Sequence, residues 1–371
     1  MSSTLTDRSV PLLELVDSLT GAALDAPEPQ SRPLEGATGA VAGIDTPEGG
    51  IEAASGVTAR FDLDGSVLDP DSPEVTTVDR DTLFDLASVT KVVTTLTAAS
   101  LIDDGVLDPH APLAEHVPSP HPGITARDLL THTSGLPPVM PIWTLPGDRE
   151  HRLDAIRGAT LDAEPGTAHA YSCLGFILLG TLLEQLTGTA LPRLAQERVL
   201  DPAGARTARW APVNEELGAV AATEQQSDPP RGLVRGQTHD ETAWSLDGVG
   251  NAGVFATLAD VLAIGRVLAG RSSALAFSGA VRTLLTTDQL PPGVTTGAGW
   301  SQGFGLRLGQ EIGPGEVLAG PVGHPGFTGT SVLADPATGT VAVLLSNRVH
   351  PDRSWFTLDR ARQDLARLAF A

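Results

Sequence analysis

The sequence predicts an α+β fold in which an antiparallel sheet, assembled from the N- and C-terminal segments, is flanked by helices and carries an inserted helical lobe. Two observations predict it. Strand-like stretches broken by glycine-rich turns occupy residues 36–63 and reappear after Trp300, whereas helical apolar periodicity dominates the residues between. The predicted division is 1–35 for an N-terminal helix and linker, 36–87 with 295–371 for the sheet lobe, and 88–294 for the mainly helical lobe, with the candidate site between the lobes.

Taken in order, residues 10–26 place Leu12, Leu13, Leu15, Val16 and Leu19 at helical spacing, and the Pro/Glu/Gln/Ser/Arg-rich stretch 27–34 reads as a linker. Residues 36–63 read as two or three short strands that turn at Asp45-Thr-Pro-Glu-Gly-Gly, with another turn at Asp64-Gly65. A helix running from Ser88 stops at Asp103, Asp104 and Gly105. Thr125-Ala-Arg-Asp128 is a capping-box-like start for a short helix through His132, and Gly135-Leu-Pro-Pro is a hard stop. Further helices are expected at 152–160, from Tyr171 to Gly188, at 190–200, and from the Thr257-Leu-Ala-Asp260 cap to Gly270. Residues 211–255 read as mostly irregular and so as the border of a cleft. Strands are then expected at 303–308, 317–318, 324–334 and 340–346, and a last helix at 353–370.

One short stretch carries chemistry. In Phe84-Asp-Leu-Ala-Ser88-Val-Thr-Lys91, the serine heads a helix and the lysine follows one turn later on the same face. A nucleophilic serine needs a base within hydrogen-bond reach, and a desolvated lysine can have its pKa lowered enough to serve. The apolar run Val92, Val93, Leu96, Ala99 argues that Lys91 is not a solvated surface residue.

Composition narrows the class. A formal net charge of −21 and the lack of any basic run argue against a nucleic-acid partner, and no apolar run reaches the length of a membrane-spanning helix. The start of the chain lacks a basic segment followed by an apolar one, and Cys173 is the single cysteine, so the chain reads as cytoplasmic. No Cys/His set at ligand spacing suggests a metal, and no cofactor is implied. His110, His116, His121 and His132 read as surface-loop histidines.

Four segments in order resemble one family: Leu86-Ala-Ser88-Val-Thr-Lys91; Ile124 through Leu136, with its His-Thr-Ser-Gly; Pro165-Gly-Thr followed by Tyr171-Ser172; and Gly323-His324-Pro-Gly326-Phe-Thr-Gly329. They resemble the serine β-lactamase and penicillin-binding-protein superfamily, in its class C-like branch with family VIII carboxylesterases, D-aminopeptidases and D,D-peptidases. The resemblance covers almost the whole chain after residue 36 and implies a β-lactamase/transpeptidase-like fold. It implies acylation of Ser88, with Lys91 and Tyr171 sharing the proton and the N–H groups of Ser88 and Phe327 forming an oxyanion hole. A neighbouring ammonium would lower the Tyr171 pKa. His324, Gly326 and Cys173 would border the substrate.

Two positions depart from the pattern. Cys173 stands where the family usually has Asn, either as a small core residue or as the wall of a pocket for a less polar acyl group. His324-Pro325 replaces Lys-Thr, and a histidine offers only partial charge near neutrality, which weakens the case for β-lactam or D-Ala-D-Ala substrates. His239-Asp240-Glu241 resembles a segment of some relatives; a salt-bridged or capping role is as good a reading as a place at the site. The sequence therefore points to a serine hydrolase on a small-molecule ester or amide. An acyltransferase and a binding module that keeps the fold are the alternatives.

Overall fold

The computed structural model describes residues 5–25, 35–62 and 66–371. Its centre is a seven-stranded antiparallel sheet with the strand order Gly49–Gly56, Gly39–Thr46, Val341–Ser346, Ser331–Ala334, Glu316–Pro325, Arg307–Gly313 and Ser301–Gln302. The chain's two ends meet where Gly39–Thr46 pairs with Val341–Ser346, in the register Val41↔Leu345 and Gly43↔Val343.

Alternation along these strands feeds two cores. Ala40, Ala42, Ile44, Ala342 and Leu344 pack against Leu12, Val16 and Leu19 of the helix Leu5–Asp25 and Leu365 of the helix Asp359–Phe370. Val41, Val343 and Leu345 face the other way, onto Leu258, Val261 and Leu262 of the helix Leu258–Leu268. Both faces are covered, so Gly39–Thr46 is buried along its whole length. Gly265 brings that second helix close: a Cβ there would lie 2.3 Å from Val341 Cγ1.

In the inserted lobe, the helix Thr90–Asp103 is buried from Thr90 through Leu101 and packs in one core with Cys173–Thr187. A helix with no exposed face along these turns is a central helix, and it anchors whatever its first turn carries. The expected capping boxes form at Thr125/Asp128 and Thr257/Asp260.

Several elements differ from expectation. The last helix begins at Asp359, because Ser354 N and Oγ both donate to Asp352 Oδ1, at 2.7 and 2.6 Å, and local bonds of this kind hold a turn against helix. Residues 211–255 are more ordered than their composition suggests: they hold the hairpin strands Gln225–Ser227 and Pro230–Leu233, the helix Glu241–Leu246 capped by Asp240, and the strand Val254–Ala256. A helix Gly279–Thr286, capped by Ser278, lies where none was expected, and 316–325 is one continuous strand. The helix expected at 190–200 comprises Leu191–Ala195 and a π-helical turn, Gln196–Leu200. The 27–34 linker and the Asp64-Gly65 turn lie outside the described residues.

Candidate active site

Ser88 sits in a 3-10 turn, Ala87–Val89, leading directly into Thr90–Asp103. The turn is strained: Ala87 adopts φ 45°, a left-handed conformation that costs a non-glycine residue about 1–3 kcal/mol. The buried Asp85 carboxylate holds it there, accepting from Ala87 N at 2.8 Å and from His239 N at 2.7 Å. Burial pushes the Asp85 pKa up against these two N–H donors.

Lys91 lies beneath the serine, fully buried. Its Nζ is 3.2 Å from Ser88 Oγ, 2.9 Å from the Asn251 carbonyl oxygen and 3.6 Å from Cys173 Sγ. From the other side Tyr171 OH donates to Ser88 Oγ at 2.9 Å. Two polar groups thus converge on one hydroxyl, Lys91 from its own helix and Tyr171 from 83 residues further along the chain.

The electrostatics correct two expectations. Burial pushes the Tyr171 phenol above its ordinary value and outweighs the Lys91 charge, so the neighbouring ammonium does not lower it. Burial likewise pushes the Cys173 thiol up. Burial disfavours the Lys91 ammonium, yet the adjacent Cys173 and Tyr171 groups favour it and carry its pKa upward. At neutral pH the phenol and the thiol are therefore protonated and Lys91 is a cation.

His132 is not on the surface. It is 2% exposed, and its ring lies 4.6 Å from the Tyr171 ring and 5.2 Å from that of Phe176. Burial, reinforced by Lys91 and His324, holds its pKa well below the usual histidine range. Its environment comes from the later Tyr171 segment, which local sequence cannot show. His110 and His116 are exposed, and His121 is partly buried.

His324 also differs from expectation. It is buried, with its Nδ1–H donating to Pro325 O at 2.6 Å, and burial with Arg307 and Lys91 nearby holds its pKa well below the usual range. The imidazole is neutral and carries no partial charge at neutral pH. Arg307 provides the positive charge at this end of the sheet; it pairs in register with Gly323, and its guanidinium lies 4.6 Å from the Trp300 ring. Its Nε is buried with no hydrogen-bond partner among the described residues.

Ser88, Tyr171, Cys173, Arg307, His324, Gly326 and Phe327 line a cavity of about 900 Å³. The 326–330 turn is latched onto the segment before Ser88: Thr328 Oγ1 donates to Asp85 O at 2.7 Å and Thr330 Oγ1 to Leu86 O at 2.8 Å. Gly326 permits the approach, since a Cβ there would lie 2.5 Å from Leu86 O. On the far wall, His239 Nε2 contacts Glu224 at 2.9 Å, Asp240 caps a helix, and Glu241 pairs with Arg353. Burial opposes the Glu224 carboxylate, but hydrogen bonds from His239 and Arg353 hold its pKa down to about 2. The His-Asp-Glu segment is thus both salt-bridged and capping, and it borders the cavity. Sequence reasoning missed Asp85, His132, Asn251 and Arg307, each of which meets a partner from another segment of the chain: His239, Tyr171, Lys91 and Gly323 respectively.

A family model described as Beta-lactamase matches residues 54–367. A protein of Escherichia coli (strain K12) with the provisional name D-alanyl-D-alanine carboxypeptidase is 31% identical over 324 residues, covering 77% of this chain and 73% of its own. An N-acetylmuramyl-L-alanine amidase of Bacillus subtilis (strain 168) is 29% identical over 72% of this chain and 68% of its own. Among solved structures, EstCE1, a hydrolase with promiscuous acyltransferase activity, superposes with a TM-score of 0.71 at 20% identity, covering 99% of this chain and 100% of that one. A class C β-lactamase from Rhodobacter sphaeroides gives 0.66 at 19% identity over 96% of this chain and 100% of that one. These structural likenesses show the β-lactamase/transpeptidase-like fold. With the family matched across most of its length, the chain belongs to the β-lactamase family of serine hydrolases.

Proposed function

We propose that the protein acts through an acyl-enzyme on Ser88, cleaving a small ester or amide. The observation that carries this reading is the convergence of Lys91 Nζ and Tyr171 OH on Ser88 Oγ at the wall of the cavity. In this reading the reactive form of the Lys91–Tyr171 pair is the one that has already lost a proton: Ser88 Oγ attacks the substrate carbonyl, its proton passes to the vacated position on the pair, and the pair returns it to the leaving group. The N–H groups of Ser88 and Phe327 stabilise the oxyanion, the latched 326–330 turn holding the two in one frame.

Arg307 supports a substrate that carries an anionic group. A guanidinium on the cavity wall whose Nε has no hydrogen-bond partner among the described residues suits a carboxylate better than the neutral His324 does, and the provisional carboxypeptidase name of the Escherichia coli relative fits a substrate that ends in one. Cys173 and Val139 make an adjoining stretch of the wall less polar, Cys173 N donating to Pro138 O at 2.9 Å and so bringing Val139 alongside. We assign the protein to a reducing compartment, the cytoplasm, on its free thiol and the absence, among the described residues, of any single helix long and apolar enough to cross a membrane.

The volume of the cavity also supports a second reading, transfer of the acyl group to an alcohol or amine, because it leaves room for an acceptor beside a small acyl group. Pre-steady-state turnover of p-nitrophenyl acetate with and without a small alcohol tests both. A burst followed by slower turnover is expected; an acceptor that speeds turnover and appears in an ester product identifies transfer, and turnover unchanged in Ser88→Ala overturns the acyl-enzyme.

A further inference from the structure

We infer that Arg362, on the C-terminal helix Asp359–Phe370, is a positioning residue for the oxyanion hole. This inference rests on the acyl-enzyme reading above.

The Arg362 side chain is 17% exposed and lines the cavity, although it lies 274 positions after Ser88. A buried guanidinium normally meets a carboxylate. Here the nearest is Asp359, itself 82% exposed and 3.9 Å away, and Arg362 Nε has no hydrogen-bond partner among the described residues. The charge is directed at backbone instead: Nη2 donates to Gly326 O at 2.6 Å and to Thr330 O at 3.1 Å. Burial pulls the Arg362 pKa down to about 10, which leaves it a cation at neutral pH.

The carbonyl of Gly326 belongs to the same peptide group as the N–H of Phe327. A cation on the oxygen of a peptide draws electron density from its nitrogen, so the N–H becomes a stronger donor, and the short contact also fixes the plane of the group. Arg348 acts on the next peptide, its Nε donating to Phe327 O at 2.9 Å. Two arginines from the C-terminal segment therefore bracket Phe327. Of these two arginines, Arg362 is the one on the peptide that carries the oxyanion donor, whose carbonyl also accepts from Gly329 N at 3.2 Å. A general structural role would be met equally by an aspartate partner, whereas this placement strengthens a donor where negative charge develops in the transition state.

The test compares wild type, Arg362→Met and Arg362→Lys for kcat and KM with p-nitrophenyl acetate, and for the rate of Ser88 phosphonylation by a fluorophosphonate. In Arg362→Met, kcat and the phosphonylation rate are expected to fall together by about tenfold or more with KM within about twofold, and Arg362→Lys to recover part of the loss. Unchanged kcat and phosphonylation in a folded Arg362→Met protein overturn the inference, as does a loss of activity that only tracks the loss of folded protein by circular dichroism. If Arg362→Met fails to fold, Arg362→Gln against Arg362→Lys reads the same effect, and equal kcat in those two overturns it. A folded wild-type protein that takes up no fluorophosphonate instead overturns the acyl-enzyme reading, so the two failures are distinct.

Discussion

His132 holds both neighbours of Tyr171: its carbonyl accepts from Ala170 N at 2.8 Å and its Nδ1 accepts from Ser172 N at 3.1 Å, with the His132 and Tyr171 rings 4.6 Å apart. His132 itself adopts φ 56°, so this clamp is held in a left-handed conformation. The position of the Tyr171 hydroxyl over Ser88 depends on it. His132→Ala should leave Ser172 N without its acceptor and lower kcat by about 10²-fold through misplacement of Tyr171, with KM little changed. His132→Asn should recover part of that loss, because Asn tolerates this backbone and its Oδ1 can accept. Equal losses in the two variants would show that the clamp is not what matters.

Tyr171→Phe removes one hydroxyl from the pair proposed to share the Ser88 proton. Turnover of a p-nitrophenyl ester should drop by about 10²–10⁴-fold while the melting temperature changes by only a few degrees. A variant with near wild-type turnover would leave Lys91 as the sole base.

Arg307→Gln should discriminate between substrates. Loss of a charge-assisted contact predicts a fall in kcat/KM of about tenfold or more for a carboxylate-bearing peptide or ester. A neutral ester of the same acyl group should be little affected. Parallel losses on both substrates would remove Arg307 from substrate recognition.

Cys173 should resist alkylation. Burial pushes its pKa up and leaves it 8% exposed, so iodoacetamide at neutral pH should label the denatured chain quickly and the native protein slowly. Rapid native labelling with loss of activity would show a reactive thiolate beside Lys91.

Acid should destabilise the protein before its carboxylates titrate. Burial holds the His350 pKa down, from 6.5 to about 4, with Arg235 adding to the shift and the contact to Thr223 O opposing it. Its Nε2 accepts from Arg60 N at 3.0 Å and Phe61 N at 3.1 Å, which a proton would abolish. Between those two pKa values the unfolded chain binds a proton that the folded chain does not. The contribution is therefore complete above the unfolded value and is lost as pH falls, on the order of 3 kcal/mol by about pH 4. Melting temperatures from pH 7 to 4.5 should decline in the wild type and decline less steeply in His350→Gln. An identical slope in both would exclude His350 as a source of the acid sensitivity.

Much of the site is legible in the sequence because its first relation is local. Ser88 and Lys91 are three residues apart, and one helical turn places them together without knowledge of the rest of the fold. The paired ends of the sheet are legible for a similar reason, since short runs of small and apolar residues bounded by turn residues mark Gly39–Thr46 and Val341–Ser346 independently. What composition could not supply is burial produced by distant partners. His324 is neutral because the sheet and Arg307 enclose it, and the Tyr171 phenol is pushed up because the helical lobe closes around it. Arg307 and Arg362 look like ordinary surface arginines in sequence. Only strand register and the returning C-terminal helix bring them to the cavity.

The acyl-enzyme is tested most directly by the intact mass of the protein after brief incubation with a fluorophosphonate, alongside Ser88→Ala. A single adduct of one phosphonyl group on the wild type, absent from the variant, is the predicted result. No adduct on folded wild-type protein, or an adduct that persists in Ser88→Ala, would contradict the assignment of Ser88 as nucleophile.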